Sequence, residues 1–259
     1  MHRTLISLFL LLLMTSIVHA DLRNGLVGWW RMDETSGNAI DWSGQNNTGT
    51  PTGTTIVKNC KRSGCRQFNG SSDYISIPYT NLNFERTDTF SISAWYNFNN
   101  VAPSGGLSSI IGRGTGPAGT FFGWCKIAVG SNCNANSIAF GLWGTTTTLS
   151  VSTATSSVFP SLWTHVVATY SGSSNPAGIK IYVNNVNMAL TTFLNTLTTT
   201  IKPNINWRIG DDGTNDWASG QIDDVRIYNR VLTAQEVSDL YRSGAVIRNA
   251  VIRNARINQ

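Results

Sequence analysis

The chain has 259 residues, of which 41% are hydrophobic and only 13% charged, with 24 glycines. Most of its formal charge of +5 sits at the two ends: four of its 19 basic residues are Arg3, Arg248, Arg253 and Arg256, leaving 15 against 14 acidic ones. A near-neutral body excludes nucleic acid as a partner, since phosphate binding needs a concentrated basic face.

Residues 1–20 read as a cleaved signal peptide. A short basic start (His2, Arg3) precedes an apolar run over residues 5–14, and Val18 and Ala20 supply the small residues of a cleavage site. The run is too short to span a bilayer comfortably, and no later segment is long and apolar enough to do so. The mature chain is therefore expected to have no membrane span and to be secreted, periplasmic or at a cell surface.

A strand is expected at 27–32, then a long polar loop punctuated by Gly37, Gly44, Gly49 and Gly53. Short strands follow at 54–57, 66–69 and 74–77. Residues 89–98 alternate, with Phe90, Ile92, Ala94 and Tyr96 on one face. Further strands are expected at 107–112, 120–129, 137–143 and 162–170. Residues 145–157 read as polar and of low complexity. Residues 180–187 read as a tight hairpin turning at Asn184-Asn185, residues that tolerate positive φ. Residues 191–202 are polar and threonine-rich, and 205–209 lead into the acidic loop 211–216.

The closing stretch, GQIDDVRIYNRVLTAQEVSDLYRSG over 220–244, joins a strand to a short helix. The apolar positions change parity between Ile222 and Val225, which predicts a bulge at Asp223-Asp224. Thr233 and Glu236 form a capping box, Leu232 and Val237 a hydrophobic staple, and Gly244 a helix stop. Residues 245–259 repeat VIRNA twice and read as a disordered basic tail. Many short strands with one terminal helix define an all-β sandwich in a single domain, 21–244.

These motifs carry a resemblance. The closing strand and helix resemble the last strand of bacterial laminin G-like domains, of the concanavalin A-like jelly-roll superfamily. GLVGWWRMDETSGNAIDWSGQNNTG over 25–49 resembles their first strand and loop, and FNG (68–70), FSISAW (90–95) and WTHVVATY (163–170) match interior strands. The resemblance implies a two-sheet antiparallel jelly roll over about residues 24–244. Because a fold hosts many functions, it implies function weakly.

Four cysteines permit three pairings. Cys60–Cys65 with Cys125–Cys133 is the expected one, since each pair spans a turn. A zinc site is the rival, with neither spacing the usual C-x2-C. The resemblance also implies calcium. Asp33, Asp41, Asn46 and Asp223 supply oxygens, and Asp41 and Asp223 would share an ion if the first and last strands are neighbours. The loop 211–216 is a second acidic candidate.

Catalysis is not expected. Glucan hydrolases of the same superfamily carry E-x-D-x-E on one strand, whereas Glu34, Glu85 and Glu236 are scattered here. Asp223 and Asp224 are adjacent on a strand and point to opposite faces. His165 lies in an alternating strand and reads as a packed histidine. The expected function is a non-catalytic recognition module for an extracellular glycan, with Trp42, Trp124, Asp212 and Trp217 as ligand-binding candidates in or near polar or Gly-rich loops. A protein-interaction or adhesion module is the alternative, and a glycoside hydrolase the third. Asn46 and Asn69 head glycosylation sequons.

Overall fold

The computed structural model describes residues 21–99, 106–114, 118–126 and 133–244. The expected signal peptide, the basic tail and the end of the strand expected at 120–129 lie outside these residues. Among the described residues are sixteen strands: β1 (Leu26–Trp30), β2 (Thr50–Thr52), β3 (Thr55–Lys58), β4 (Gly64–Asn69), β5 (Tyr74–Ile77), β6 (Phe90–Phe98), β7 (Leu107–Arg113), β8 (Gly119–Cys125), β9 (Ser137–Trp143), β10 (Thr148–Thr153), β11 (Thr164–Tyr170), β12 (Ile179–Val183), β13 (Val186–Asn187), β14 (Leu190–Asn195), β15 (Trp207–Ile209) and β16 (Ser219–Tyr228). One α-helix, α1, covers residues 234–244, and a single 3-10 turn lies at Pro176–Gly178.

Two antiparallel eight-stranded sheets form a sandwich. The first runs β13-β12-β11-β6-β16-β4-β3, and the second β14-β10-β9-β8-β7-β15-β5-β2. In the first sheet β16 has β6 along one side. Its early half pairs with β4 along the other side, and its later half with β1. The first and last strands are thus neighbours, with Trp30 opposite Val225. The expected bulge is present: the β16–β6 register breaks between Asp223 and Arg226, and Asp224 has φ 49°.

Alternation explains the core. Phe90, Ile92, Ala94, Tyr96 and Phe98 of β6 meet Phe122, Trp124, Phe140 and Leu142 of β8 and β9 between the sheets. A short polar link crosses this interior: Tyr96 Oη and Ser108 Oγ lie 2.6 Å apart. Two polar stretches differ from the expectation. β10 and β14 fall where the sequence reads as threonine-rich loop. Only alternate residues of β10, notably Leu149 and Val151, need to be apolar, because Thr148, Ser150 and Ser152 face outward. Thr is also a good strand former.

The outer face of the first sheet carries α1. Leu26, Val167, Tyr182, Tyr228, Leu232, Val237 and Leu240 form a small second core beneath it. The capping box is complete. Thr233 N–H donates to Glu236 Oε2 at 2.8 Å, and Glu236 N–H to Thr233 Oγ1 at 3.2 Å. The Asn184-Asn185 hairpin has φ of 50° and 70°, as its two residues require. Both expected disulfides are present, Cys60–Cys65 and Cys125–Cys133.

His165 is packed under the same helix. Its ring lies 4.9 Å from Trp95 and 5.9 Å from Tyr241, and its Nε2 is 3.0 Å from Ser93 Oγ. Burial pushes its pKa down from 6.5 to about 3, against the pull of Asp224. A base whose folded pKa is depressed contributes stability that is fully present above 6.5 and is lost as pH falls towards 3. His165→Leu is therefore expected to flatten the dependence of stability on pH across that window, as read by urea unfolding at several pH values. It should also lower stability at pH 7, because Ser93 loses its partner.

Candidate functional site on the outer face of the second sheet

The site begins where the chain crosses from the second sheet to the first. β15 is followed by Gly210, whose φ of 86° and closeness to Phe68 leave no room for a side chain. The loop 211–217 returns to its own base, where Ala218 N–H donates to Gly210 C=O at 2.8 Å. β16 then starts at Ser219 in the other sheet. The loop is pinned further by Ser109 N–H, which donates to the Asp216 carbonyl at 2.7 Å.

On β5, Ile75 and Ile77 enter the core, so Tyr74 and Ser76 face outward. On β15, Trp207 and Ile209 enter the core, so Arg208 faces outward. Ser76 and Arg208 are opposite each other across the strand pair. Tyr74, Ser76 and Arg208 form the floor of a groove of about 290 Å³, walled by Tyr79, Asn204, Asn206 and Asp212. The Arg208 guanidinium stacks over the Tyr74 ring at 4.5 Å and donates to Asp211 Oδ2 at 2.6 Å. Trp217 packs against Tyr74 with centroids 6.1 Å apart.

Three carboxylates share the loop. Asp212 Oδ1 accepts from Thr214 N–H at 2.9 Å and Thr214 Oγ1 at 2.7 Å, and that same hydroxyl lies 3.2 Å from Asp216 Oδ2. Burial and then Asp212 push the Asp216 carboxyl up to about 7. Burial likewise raises Asp212. The groove therefore offers two tyrosine rings, two side-chain amides, a guanidinium and a carboxylate within one small concavity, with Trp217 packed behind Tyr74. That is the chemistry of hydroxyl-rich ligands.

Of the residues singled out from the sequence, Asp212 and Trp217 come together here. Trp124 does not. It lies on the inward face of β8, fully buried and stacked on Phe98 at 4.2 Å, and is a core residue rather than an exposed platform. Trp42 is exposed, at 52%, but stands beside the first sheet: its N–H donates to the Trp29 carbonyl, and Arg31 stacks between the Trp42 and Trp29 rings. Tyr74 and Arg208 were not singled out. Their signal was the alternation of β5 and β15, which turns both outward once Ile75, Ile77, Trp207 and Ile209 are assigned to the core.

The expected calcium pair is not formed. Asp41 bridges to one side of Trp30 and Val225 pairs on the other, so β1 runs between Asp41 and β16. Two strand spacings, about 10 Å, separate them. The Asp41 carboxylate is also occupied within its own loop. Oδ1 accepts from Trp29 N–H and Ser43 N–H, and Oδ2 from Ser43 Oγ and Asn47 N–H. Asp223 lies instead with Asp33 and Asp224, where guanidiniums balance the charge: Arg31 on Asp33, and Arg62 and Arg226 on Asp224. Among the described residues no cluster of three or more His, Cys, Asp or Glu has the arrangement to hold a metal ion. The donor set does not fit calcium at Asp41 and Asp223.

The sequence match is found over residues 69–238, to the family model of the laminin G type described as the concanavalin A-like lectin/glucanases superfamily. The chain belongs to this superfamily. No curated protein matches the sequence. The binding domain of Paraclostridial Mosquitocidal Protein 1 is similar in structure, with a TM-score of 0.63 at 18% identity over 85% of this chain and 52% of that one. Domain 4 of an extracellular arabinanase from Geobacillus stearothermophilus, in complex with arabinotriose, gives 0.59 at 18% identity over 83% and 98%. Trypanosoma rangeli sialidase with sialic acid gives 0.58 at 19% identity over 86% and 33%. The chain thus spans about half of the toxin domain and a third of the sialidase. At such identities the likeness establishes the fold, one shared by binding domains and by chains that contain enzymes.

Asp223 is the buried carboxylate with the least support. Its Oδ2 accepts from Arg62 N–H at 3.0 Å, while Oδ1 has no partner. Burial, then Asp224, push its pKa from 3.8 up to about 8. A carboxyl raised in this way contributes stability below 3.8 that is lost as pH rises through 8. Asp223→Asn keeps an acceptor for Arg62 and removes the charge. It should stabilise by about 1–3 kcal/mol at pH 8 and by little at pH 4, as read by denaturant unfolding.

Proposed function

We propose that the protein is an exported, non-catalytic recognition module that binds carbohydrate in the groove of Tyr74, Arg208 and Asp212. The observation that carries this is the convergence of two sequence-distant aromatic residues, Tyr74 and Trp217, with Arg208, Asp212, Asn204 and Asn206 on one outward face. Sugar rings present apolar C–H faces and equatorial hydroxyls together, and this mixture of ring, amide and carboxylate meets both. The structural similarity to an arabinanase domain seen with arabinotriose supports the same reading.

The glutamates favour a non-catalytic role. Glu34 pairs with Arg66 at 3.7 Å, Glu85 accepts from Thr200 Oγ1 at 2.6 Å, and Glu236 is held by the helix cap and Arg230. Each is spent on structure by these contacts, whereas glycosidic hydrolysis needs a free pair of carboxylates flanking the bond. Export is supported by the two disulfides, which persist in oxidising compartments. No helix among the described residues is long and apolar enough to cross a membrane.

One observation favours a second surface for a protein partner. Trp42 and Ile40 are both exposed beside the Arg31 stack, on a loop that Asp41 holds rigid. Exposed, preorganised Trp and Arg are typical anchors of protein interfaces.

Glycan-array screening followed by calorimetry separates the two surfaces. Tyr74→Ala is expected to weaken carbohydrate binding at least about tenfold, or 1.4 kcal/mol, and Trp42→Ala to leave it unchanged. Loss of sugar binding on Trp42→Ala alone would move the site to the other sheet.

A further inference from the structure

The groove lies at one end of a longer row of residues set by the strand register. A single row of paired residues crosses the outer face of the second sheet: Ser76 is opposite Arg208, Arg208 opposite Gly112, Gly112 opposite Phe121, Phe121 opposite Gly141, and Gly141 opposite Ser150. Neither glycine in the row is bare. A Cβ on Gly112 would come within 2.5 Å of the Asp212 Cβ, so Asp212 lies directly over it. A Cβ on Gly141 would come within 2.7 Å of Trp143 Cη2, so the Trp143 side chain folds back across the sheet surface there.

Trp143 is two residues beyond Gly141 on the same face and is only partly buried. Phe121 meets it edge-on, with centroids 6.1 Å apart and planes at 83°. Leu107, Ala139 and the Cys125–Cys133 disulfide complete an apolar patch around Phe121. Between Trp143, Phe121, Leu107 and Ser150 is a notch of about 30 Å³. Glycine at 141 is thus what lets an indole lie down on a sheet, and Trp143 stays partly exposed while Phe121, Ala139 and Ser150 beside it are buried.

From Arg208 to Gly141 the row takes three strand steps, about 14 Å. Asp212 stands between, over Gly112. We propose that the face binds one neutral, linear oligosaccharide laid across the strands, with one end in the Tyr74–Arg208 groove, hydroxyls of the middle units on Asp212, and a distal unit stacked on Trp143. This rests on the carbohydrate reading of the groove and adds to it the length and charge of the ligand. A span of about 14 Å calls for an oligosaccharide rather than a single sugar ring. A uronate chain is disfavoured because its carboxylates would meet Asp212, with Asp211 and Asp216 close by. Burial holds Asp212 and Asp216 above the usual carboxylate range already, and a further negative charge would add to that cost.

The test is calorimetry with neutral arabino-, xylo- and cello-oligosaccharides, from monosaccharide to hexasaccharide, against oligogalacturonides of matched length. For at least one neutral series, affinity is expected to rise about tenfold between disaccharide and tetrasaccharide and then to level off. Trp143→Ala should remove that rise while leaving the disaccharide affinity unchanged. Gly141→Ala should do the same by displacing the ring, with thermal unfolding of both variants checking that they fold. Oligogalacturonides should bind more weakly than the neutral series at every length. Length-independent affinity, an equal loss for short and long sugars on Trp143→Ala, or tighter binding of oligogalacturonides would overturn this inference and leave the groove reading standing. Failure of every sugar to bind would overturn both.

Discussion

Asp224 ties the first sheet together. It is fully buried, yet its two oxygens accept from Trp29 Nε1 of β1 at 2.6 Å, from Arg62 Nη1 of the Cys60–Cys65 loop at 2.6 Å, and from Arg226 of its own strand at 3.1 and 3.2 Å. Burial alone would raise its pKa, but Arg226 and Arg62 hold it below the ordinary carboxylate value. An ion removed from water is tolerated only when its lone pairs are met. Meeting them fixes the start of the chain, the disulfide loop and the last strand in one arrangement. The bulge at Asp223-Asp224 is the backbone's part in this, since it turns the carboxylate of residue 224 to the outer face while Ile222 and Val225 stay inside.

That arrangement reaches the candidate site through β16. The strand that carries Asp224 begins where the acidic loop ends, so the register that seats Asp224 also seats Ser219. Ser219 in turn meets the inter-sheet pair: its C=O accepts from Tyr96 Oη at 3.3 Å, and its N–H donates to Ser108 Oγ at 3.4 Å. Groove and ion cluster lie on opposite outer surfaces of the sandwich and are joined by one short stretch of rigid chain.

Much of this was readable from residue order because the signals were local. The parity change at Ile222 and Val225, the Thr233–Glu236 cap, the Asn184-Asn185 turn and the two short cysteine loops each sit within ten residues. What was not readable depended on partners far apart in the chain. Trp124 looked exposed because glycines flank its strand, but Phe122, two residues before it and on the same face, already pointed to the core. Asp41 and Asp223 seemed able to meet because β1 and β16 do pair, yet Trp30 occupies the space between them. Tyr74 and Arg208 become a floor only because β5 and β15, more than a hundred residues apart, are neighbours. The threonines of β10 and β14 concealed strands, since an outward face gives no apolar signal.

The margins of the two sheets carry a last consequence. β13 has two residues, and β2 has three with Pro51 at its centre. Proline withholds a donor, and very short or polar borders offer little for another chain to extend. At these two borders, β13 and β2, a second sandwich would therefore find almost no strand on which to extend the sheet.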